Sequence, residues 1–415
     1  MKSIRLSAIA LIAIHQPAFA QAPAAFETGV VLEAASLLPA EQLRGPSHRV
    51  REQVVTDGFM AHFEIDTDFG TFEAVGVPQV AQRIAEADAI RKLVETSKGD
   101  LFAEGLKRSI NQPIDAVKNI AKDPVTSIKR APKTVGHFFS KVGASVERGV
   151  EKIKADNEAG QSPTAAGIGN AAKNAAGFDK AKLDTARQLG VDPYSDNERL
   201  QEEMDKVTWA FFAGGLPLRI GATVASAGVA LTATNMVGVP EETYALTQSE
   251  LALRDNRSLA AMGIKEQDIK KFQIHGNLST TRRHRIVKAL EALPQAAGRG
   301  RIILLANSCE TTAQADFLIA ALSMLANRQL TGAADYKELH VFGRLPGATT
   351  AAGTLEVPAP VDHVTWTEQV AGFATRDDLG TSPKVLVHTG RLSEATAAGF
   401  AAAGWQTTAV PYPTR

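Results

Sequence analysis

The single cysteine of the chain lies in a segment whose residue types could perform nucleophilic chemistry. Cys309 occurs in the stretch ANSCETT, directly after an apolar run, residues 301–306, that predicts a β-strand. Asn307 or Ser308 can cap a helix predicted over residues 310–327, and the dipole of such a helix lowers the pKa of a nearby thiol. Cys309 is therefore a candidate nucleophile at the carboxyl end of a strand, where α/β proteins bind ligands.

A nucleophilic thiol needs a base, and the sequence offers histidines without selecting one of them. The candidates are His275, His340, His363 and His388. No oxyanion motif is visible, so a buried and inert cysteine is the competing interpretation. One cysteine cannot form an internal disulfide, and Cys/His spacings typical of zinc sites are absent from the sequence. The sequence therefore predicts no metal site and no cofactor.

The first residues of the chain predict export. A basic head, residues 1–5, precedes an apolar run over residues 6–14 and the small-residue pattern Ala18-Phe19-Ala20. The run is too short to span a bilayer, which needs about 20 apolar residues. We therefore expect a signal peptide, residues 1–20, that is cleaved near Ala20 and leaves the protein periplasmic or secreted. An amphipathic N-terminal helix that stays attached is the alternative.

Composition indicates a folded protein with two or three domains. The 415 residues include 45 basic and 45 acidic side chains, and 44% of the residues are hydrophobic. A neutral chain of this length can bury substantial cores. Overall neutrality argues against nucleic acid as a partner of the whole protein.

Residues 21–99 predict a β-hairpin followed by a helix. Apolar and polar residues alternate over residues 59–66, as in a half-buried strand. The stretch DTDFG at residues 66–70 is typical of a turn, and residues 71–77 predict the returning strand. Pro78 is placed as at the start of a helix, which we expect to end near Gly99.

Residues 100–159 contain an apolar stripe with an eleven-residue period. The pattern predicts short amphipathic helices, because eleven residues make almost three helical turns and prolines at 113, 124 and 132 interrupt the chain. Between residues 107 and 141 there are eight Lys or Arg and two Asp. Basic faces beside apolar ones are typical of helices that lie in lipid headgroups. The predicted surface consists of Val117, Lys118, Ile120, Lys122, Ile128, Lys129, Arg130, Lys133, Phe138, Phe139 and Val142.

In its physical pattern this stripe is similar to the repeats of the exchangeable apolipoproteins. The similarity covers only the four eleven-residue blocks from Pro113 and implies no site residue. An anionic membrane surface or an envelope protein is the partner that the pattern indicates. The competing interpretation is that the stripe covers the protein's own core and that the lysines are its solvated side.

The next two regions are rich in small residues. Residues 160–178 predict a flexible linker or a frayed helix, because bulky anchoring residues are absent. Residues 179–239 predict helices, one of them opened by a capping box of Ser195 and Glu198. The apolar stretch at residues 209–239 predicts a buried or interfacial helix. A membrane span is the alternative, but Pro217 and Arg219 interrupt the stretch and argue against it.

Residues 240–415 predict helices followed by a mixed α/β domain. Helices are expected over residues 247–262, 265–274 and 280–293, and a capped helix over residues 393–403. Besides residues 301–306, strands are expected over residues 338–342, 354–357, 362–365, 384–388 and 405–410. Strands that alternate with helices indicate at least one parallel pair.

One helical stretch of this region resembles a helix-turn-helix. Gly263 occupies the turn, and Arg282, Arg283, Arg285 and Lys288 follow on a later helix. A predicted signal peptide argues against DNA as a partner, so packing of three helices is the preferred interpretation.

Together these patterns predict an α+β protein: an N-terminal β-hairpin, a long amphipathic helical middle region and a small mixed α/β domain at the C-terminal end. The predicted function is non-catalytic association of an exported envelope protein with a membrane surface or a protein partner. The alternative is a periplasmic enzyme or small-molecule-binding protein that uses the C-terminal domain around Cys309.

Overall fold

The computed structural model of the protein describes residues 26–109, 165–218, 220 and 238–412. These residues form an antiparallel sheet near the N-terminus, a helical middle and a mixed sheet near the C-terminus, which confirms the predicted α+β class. The predicted signal peptide lies outside the described residues, and so does the apolar stripe of residues 113–153.

The N-terminal unit is a six-stranded antiparallel sheet with one long helix packed on it. Its predicted hairpin is confirmed, and four further short strands extend it. The strands are β1 Val31–Glu33, β2 Arg44–Gly45, β3 His48–Val50, β4 Gln53–Thr56, β5 Ala61–Thr67 and β6 Gly70–Val75, and the helices are α1 Ala40–Leu43 and α2 Val77–Thr96.

Strand β5 is the centre of this sheet. It pairs with β6 along one edge and with β3 and β4 along the other. Ala61, Phe63 and Ile65 point into the core as the period of two predicts, and Ile84 of α2 packs there with them. Gly76 joins β6 to α2 with a φ of 88°, a value that glycine adopts without the steric cost of a Cβ atom.

The helical middle begins after α2. Its first members are α3 Asp100–Ser109, α4 Ala165–Leu189 and α5 Glu198–Ala213. Helix α4 occupies most of the range predicted as a flexible linker, so the helical alternative is the correct one from residue 165 onward. Helix α5 is capped by Asn197, whose side chain accepts from the backbone N–H of Leu200. Ser195, the predicted cap, instead donates to the buried Glu86 of α2.

Six more helices of the middle lie within the described residues. They are α6 Glu241–Ala245, α7 Gln248–Ala261, α8 Glu266–Ile274, α9 Thr280–Glu291, α10 Arg299–Ala306 and α11 Thr312–Leu330. Helices α7 to α11 enclose one core, to which Leu259, Phe272, Leu290, Ile302 and Leu322 contribute. The helices of the stretch that resembles a helix-turn-helix all contribute residues to this core.

The strand predicted over residues 301–306 is wrong, because these residues form helix α10. A short apolar run does not distinguish a buried strand from a buried helix by periodicity. Arg301 and Leu304 are exposed, whereas Ile302, Ile303 and Leu305 are buried, and exposed positions three residues apart do not fit the period of two of a half-buried strand. Helix α10 starts after Gly298, which has a φ of 84°.

The C-terminal unit is a five-stranded mixed sheet with the order β13-β11-β9-β8-β7. Strands β9, β11 and β13 are parallel, which confirms the predicted parallel pairing. The strands of this unit are β7 Tyr336–Phe342, β8 Leu345–Thr350, β9 Leu355–Ala359, β10 His363–Val364, β11 Lys384–His388, β12 Arg391–Leu392 and β13 Trp405–Ala409, and the helices are α12 Glu368–Ala374 and α13 Glu394–Ala402. Strands β10 and β12 lie outside the five-stranded sheet and pair with each other in a short parallel sheet.

Two carboxylates join the N-terminal residues to the C-terminal unit. Asp362 accepts from the backbone N–H of Ala61 at 2.9 Å and of Val77 at 3.1 Å, and also from the hydroxyl of Tyr412. Glu27 accepts from the backbone N–H of Trp366 at 2.5 Å and from the hydroxyl of Ser393 at 2.6 Å. The two ends of the described chain are thus fixed to the same part of the molecule.

The predicted apolar stretch at residues 209–239 is described only in part. Helix α5 ends at Ala213, Gly214 and Gly215 follow, and Arg219 and residues 221–237 lie outside the described residues. No helix within the described part of the chain has the length and hydrophobicity to cross a membrane.

Candidate functional site

Cys309 lies in the connection between α10 and α11, not after a strand. Its thiol is 6% exposed and donates to the carbonyl of Leu305 with a sulfur–oxygen distance of 3.7 Å. Thr311, rather than Asn307 or Ser308, caps α11 by accepting from the backbone N–H of Gln314. The thiol therefore donates to the carboxyl end of α10, and its described hydrogen bond does not involve the N-terminus of α11.

Burial raises the pKa of the Cys309 thiol, which is opposite to the prediction. Arg344 opposes this rise and Asp316 adds to it. A thiol with a raised pKa is protonated near neutral pH and is a poor nucleophile. Among the described hydrogen bonds, none joins a histidine ring to Sγ: the rings of His275, His340 and His388 bond to Asn277, Thr349 and Gly390.

Cys309 instead forms part of the wall of a large apolar cavity. This cavity, called the cleft below, has a volume of about 570 Å³ and lies between the N-terminal unit, helices α9 to α11 and the C-terminal unit. A volume of this size is typical of sites for small molecules and cofactors.

The N-terminal wall of the cleft comes from the start of β5 and from the junction between β6 and α2. Phe59 and Met60 precede β5, Val75 ends β6, and Pro78 lies in the first turn of α2. Met60 and Pro78 flank Gly76, the residue whose positive φ turns the chain from the sheet into the helix.

The helical wall is one face of α11 together with the turn that precedes it. Ala313, Phe317 and Ala320 line the cleft at spacings of four and three, which place them on one side of a helix. Leu305 and Cys309 extend this surface towards α10. Ala313 is exposed and Ala320 is half-buried, so the small residues leave open volume in front of α11.

The C-terminal wall lies at the carboxyl end of the parallel strand β9. Val357 and Ala359 of β9 line the cleft, and the chain continues along it through Pro360 and Val361. Aromatic side chains from the helices on this sheet, Phe373 of α12 and Phe400 of α13, complete the wall. The position agrees with the general rule that ligands of α/β sheets bind beyond the carboxyl ends of parallel strands.

Charged side chains line the cleft in small number, and most of them are paired. Asp57 and His62 are 3.1 Å apart between Oδ2 and Nε2. Arg344 donates to both carboxylate oxygens of Glu310, at 2.8 and 3.1 Å. Both carboxylate oxygens of Asp316 accept from Arg282. These pairs leave little net charge for a ligand to meet.

A network of ion pairs around the largely buried Arg83 and Arg282 adjoins the cleft. This ion network consists of Arg83, Glu86, Asp196, Arg282 and Asp316. Arg83 pairs with Glu86 at 2.8 Å and with Asp196 at 3.0 Å, and Arg282 continues the chain to Asp196 at 2.9 Å. Arg282 also binds Asp316 through Nε at 2.7 Å and through Nη2 at 2.9 Å. The network thereby ties α2 to α9 and α11.

Electrostatics within the ion network favour the charged states. Burial alone would raise the pKa of Asp196, but Arg83 and Arg282 outweigh it and hold this pKa below its ordinary value. Glu86, 1% exposed, also accepts from Ser195 at 2.6 Å and from Asn197 at 2.9 Å. The network therefore satisfies its own charges and hydrogen-bonding groups.

A second, much smaller cavity lies between the ion network and the cleft. It has a volume of about 20 Å³, enough for one water molecule. Asp192 lines it and accepts from Thr281 at 2.5 Å and from the backbone N–H of Tyr194 at 2.9 Å. Burial raises the pKa of Asp192 to about 6, although these two hydrogen bonds oppose the rise.

Arg285 lines both cavities and differs from the other charged groups. It lies on α9, three residues after Arg282, and is half-buried. Burial lowers the pKa of its guanidinium, and the nearby Asp316 and Asp192 oppose this change. Within the part of the chain that the structure describes, Arg285 makes no hydrogen bond and no ion pair.

Of the residues that the sequence indicated as candidates for chemistry or binding, Cys309 and Arg285 are the two that line the cleft among the described residues. The predicted membrane or partner surface lies outside the described residues; its members are Val117, Lys118, Ile120, Lys122, Ile128, Lys129, Arg130, Lys133, Phe138, Phe139 and Val142. The described residues contain no cluster of three side chains that could hold a metal ion.

Comparison of the chain with models of protein families, with curated proteins and with solved structures finds no match.

Proposed function

We propose that the protein binds a small, mainly apolar molecule in the cleft between its N-terminal and C-terminal units. The observation that carries this proposal is a cavity of about 570 Å³ whose lining is chiefly aliphatic and aromatic. Burial of apolar ligand surface contributes about 25 cal/mol per Å² to binding, before the cost of immobilising the ligand. This is the small-molecule alternative of the sequence analysis, with the cleft as its site and Cys309 in its wall.

The physical character of Cys309 supports binding rather than covalent catalysis at this position. The thiol is buried, its pKa is raised, and its hydrogen bond goes to a backbone carbonyl. A small polarisable side chain of this kind is well suited to an apolar wall.

Saturable binding of the neutral fluorescent probe N-phenyl-1-naphthylamine by the full chain tests the proposal. Replacing Ala320 by Trp places an indole in the open volume before α11, and we expect roughly tenfold weaker probe binding. Ala401→Trp is the matched control, because Ala401 is an exposed alanine of α13 that does not line the cleft. An absence of saturable binding, or equal loss in both variants, would overturn the proposal.

We also propose a second function, association of residues 113–153 with an anionic membrane surface after export of the protein. Its support is the coincidence in the sequence of an apolar stripe, proline punctuation and a local excess of basic residues. Co-sedimentation with vesicles of anionic phospholipid should show binding that weakens as salt is added, because salt screens the lysines. No binding at low salt would exclude this function.

A substitution separates a lipid-facing stripe from one that covers the protein's own core. Phe139→Asp should abolish vesicle binding and leave the melting temperature unchanged if the stripe faces lipid. A lower melting temperature with vesicle binding retained would assign Phe139 to the core and contradict the membrane proposal.

A further inference from the structure

Arg285 is the charged group of the cleft whose hydrogen-bonding capacity is unused. Asp57 and His62 form one pair, and Arg344 and Glu310 form another. The carboxylate of Asp316 receives the guanidinium of Arg282. Among the described residues that line the cleft, Arg285 alone combines a permanent charge with no bonded partner.

The two carboxylates that attract the guanidinium of Arg285, Asp316 and Asp192, already accept hydrogen bonds from other groups. Both oxygens of Asp316 accept from Arg282, and Oδ1 of Asp192 accepts from Thr281 and from the backbone of Tyr194. They attract the guanidinium through space but do not satisfy its N–H groups. A guanidinium carries five N–H donors, and those of Arg285 have no hydrogen-bond acceptor among the described residues. The structure therefore presents donors to the cleft without supplying the acceptors.

We propose that Arg285 binds the carboxylate of an amphipathic ligand whose apolar body occupies the cleft. This inference rests on the proposed binding function and names its ligand class: a monocarboxylic acid with an aliphatic or aromatic chain. A planar carboxylate can accept two parallel hydrogen bonds from a guanidinium, and such charge-assisted pairs are strong in partly buried sites.

The surroundings of Arg285 favour a single negative charge on the ligand. Asp316 and Asp192 lie close enough to influence the guanidinium and would repel a second charge on the same head group. A phosphate monoester carries a charge of about −1.5 to −2 at neutral pH, which makes it a poorer fit than a carboxylate.

Competition against N-phenyl-1-naphthylamine tests the assignment with ligands that differ only in the head group. Decanoate, methyl decanoate and decyl phosphate are compared at pH 7.5, below the concentrations at which they form micelles. We expect decanoate to bind roughly 10- to 100-fold more tightly than its methyl ester, the range for a hydrogen-bonded charge pair. Decyl phosphate should bind more weakly than decanoate. Equal affinities of acid and ester would overturn the inference, and so would a preference for the phosphate.

Two variants assign the head-group preference to Arg285. Arg285→Met should remove the preference for decanoate over its ester while retaining binding of the neutral probe. Arg344→Met is the matched control, because it removes a cleft-lining arginine that already has a partner, and it should keep the preference. A preference that survives in Arg285→Met would contradict the inference, whereas failure of the wild-type chain to bind the neutral probe would contradict the proposed function itself.

Thermal unfolding distinguishes ligand recognition from a purely structural role. An arginine without bonded partners contributes little to stability, so Arg285→Met should melt at or above the wild-type temperature in the absence of ligand. Decanoate should raise the melting temperature of the wild type more than that of the variant, because a ligand stabilises the state that binds it. A variant that melts lower without ligand and keeps the decanoate-dependent rise would show a structural arginine and overturn the inference.

Discussion

Two arginines one turn apart on α9 differ in whether their charge is paired. One belongs to the ion network and the other to the cleft. The side chain of Arg282 is 10% exposed, and it closes the ion network by binding Asp196 and Asp316. Arg285 borders the cleft and has no bonded partner among the described residues. Desolvation of an ion costs several kcal/mol unless partners compensate it. The ion network supplies that compensation internally, whereas in our proposal the cleft obtains it from a ligand.

Among the variants that compare the ion network with the cleft, Arg282→Met is expected to change the free energy of unfolding most. The substitution removes a cation that is 10% exposed and is shared by Asp196 and Asp316, whose side chains are 28% and 36% exposed. Breaking a fully buried pair costs about 3 to 5 kcal/mol, and solvent screening of the two carboxylates places the expected loss in the lower part of this range, at about 3 to 4 kcal/mol. Denaturation with urea should therefore show a lower free energy of unfolding.

Arg344→Met controls for the loss of a positive charge. Arg344 and Glu310 are 56% and 68% exposed, and an exposed pair contributes less than about 1 kcal/mol. Similar losses in the two variants would show that the ion network has no special role in stability.

A somewhat smaller effect is expected from pH at Asp192, between the two regions. The folded-state pKa of about 6 lies above the ordinary value of 3.8, so the folded protein holds a proton that the unfolded chain releases. The contribution to stability is complete below pH 3.8 and is lost as the pH rises through 6. The loss amounts to about 3 kcal/mol at 1.36 kcal/mol for each pKa unit.

Asp192→Asn keeps the hydrogen bonds of Oδ1 and removes the titration. Urea denaturation of both proteins between pH 4 and pH 7 should show that the wild type loses stability relative to the variant as the pH rises. Parallel stability curves for the two proteins would contradict a protonated Asp192 in the folded state.

The smallest expected effect concerns the thiol of Cys309 and reports occupancy of the cleft. A maleimide should react with the folded protein more slowly than with the urea-unfolded chain, because the thiol is buried and its pKa is raised. Saturating N-phenyl-1-naphthylamine should slow the reaction further. Since the chain has a single cysteine, the labelled mass reports this site alone. A reaction rate independent of the probe would place the probe outside the cleft.

Local patterns in the sequence were sufficient to predict several elements. The alternation before DTDFG predicted β5 and β6, and the spacing after Pro78 predicted α2. Such elements follow from contacts between near neighbours, which a period of two or of 3.6 residues expresses. Residues 301–306 were assigned wrongly because an apolar run fits both periods. Strand β8 was missed because Pro346 and Gly347 are unusual inside a strand.

The candidate site could not be predicted in the same way. Its walls bring together Phe59, Phe317 and Val357, which are far apart in the sequence and share no motif. The sequence placed Arg285 among the basic residues of a helix, and spacing alone does not show that Arg282 has partners and Arg285 has none. Only the arrangement of α9 against α2 and α11 separates the two side chains.

The bonds of Glu27 have a consequence for the order of folding. Its carboxylate accepts hydrogen bonds from the hydroxyl of Ser393, 366 positions further along the chain, and from the backbone N–H of Trp366. During translation, residue 27 is synthesised long before Trp366 and Ser393. The two hydrogen bonds can therefore form only after nearly all of the described chain has been synthesised. Contacts over such a separation pay a large loop-closure entropy and form late. Release of the C-terminal unit from the translation machinery is thus a precondition for the final attachment of the N-terminal residues.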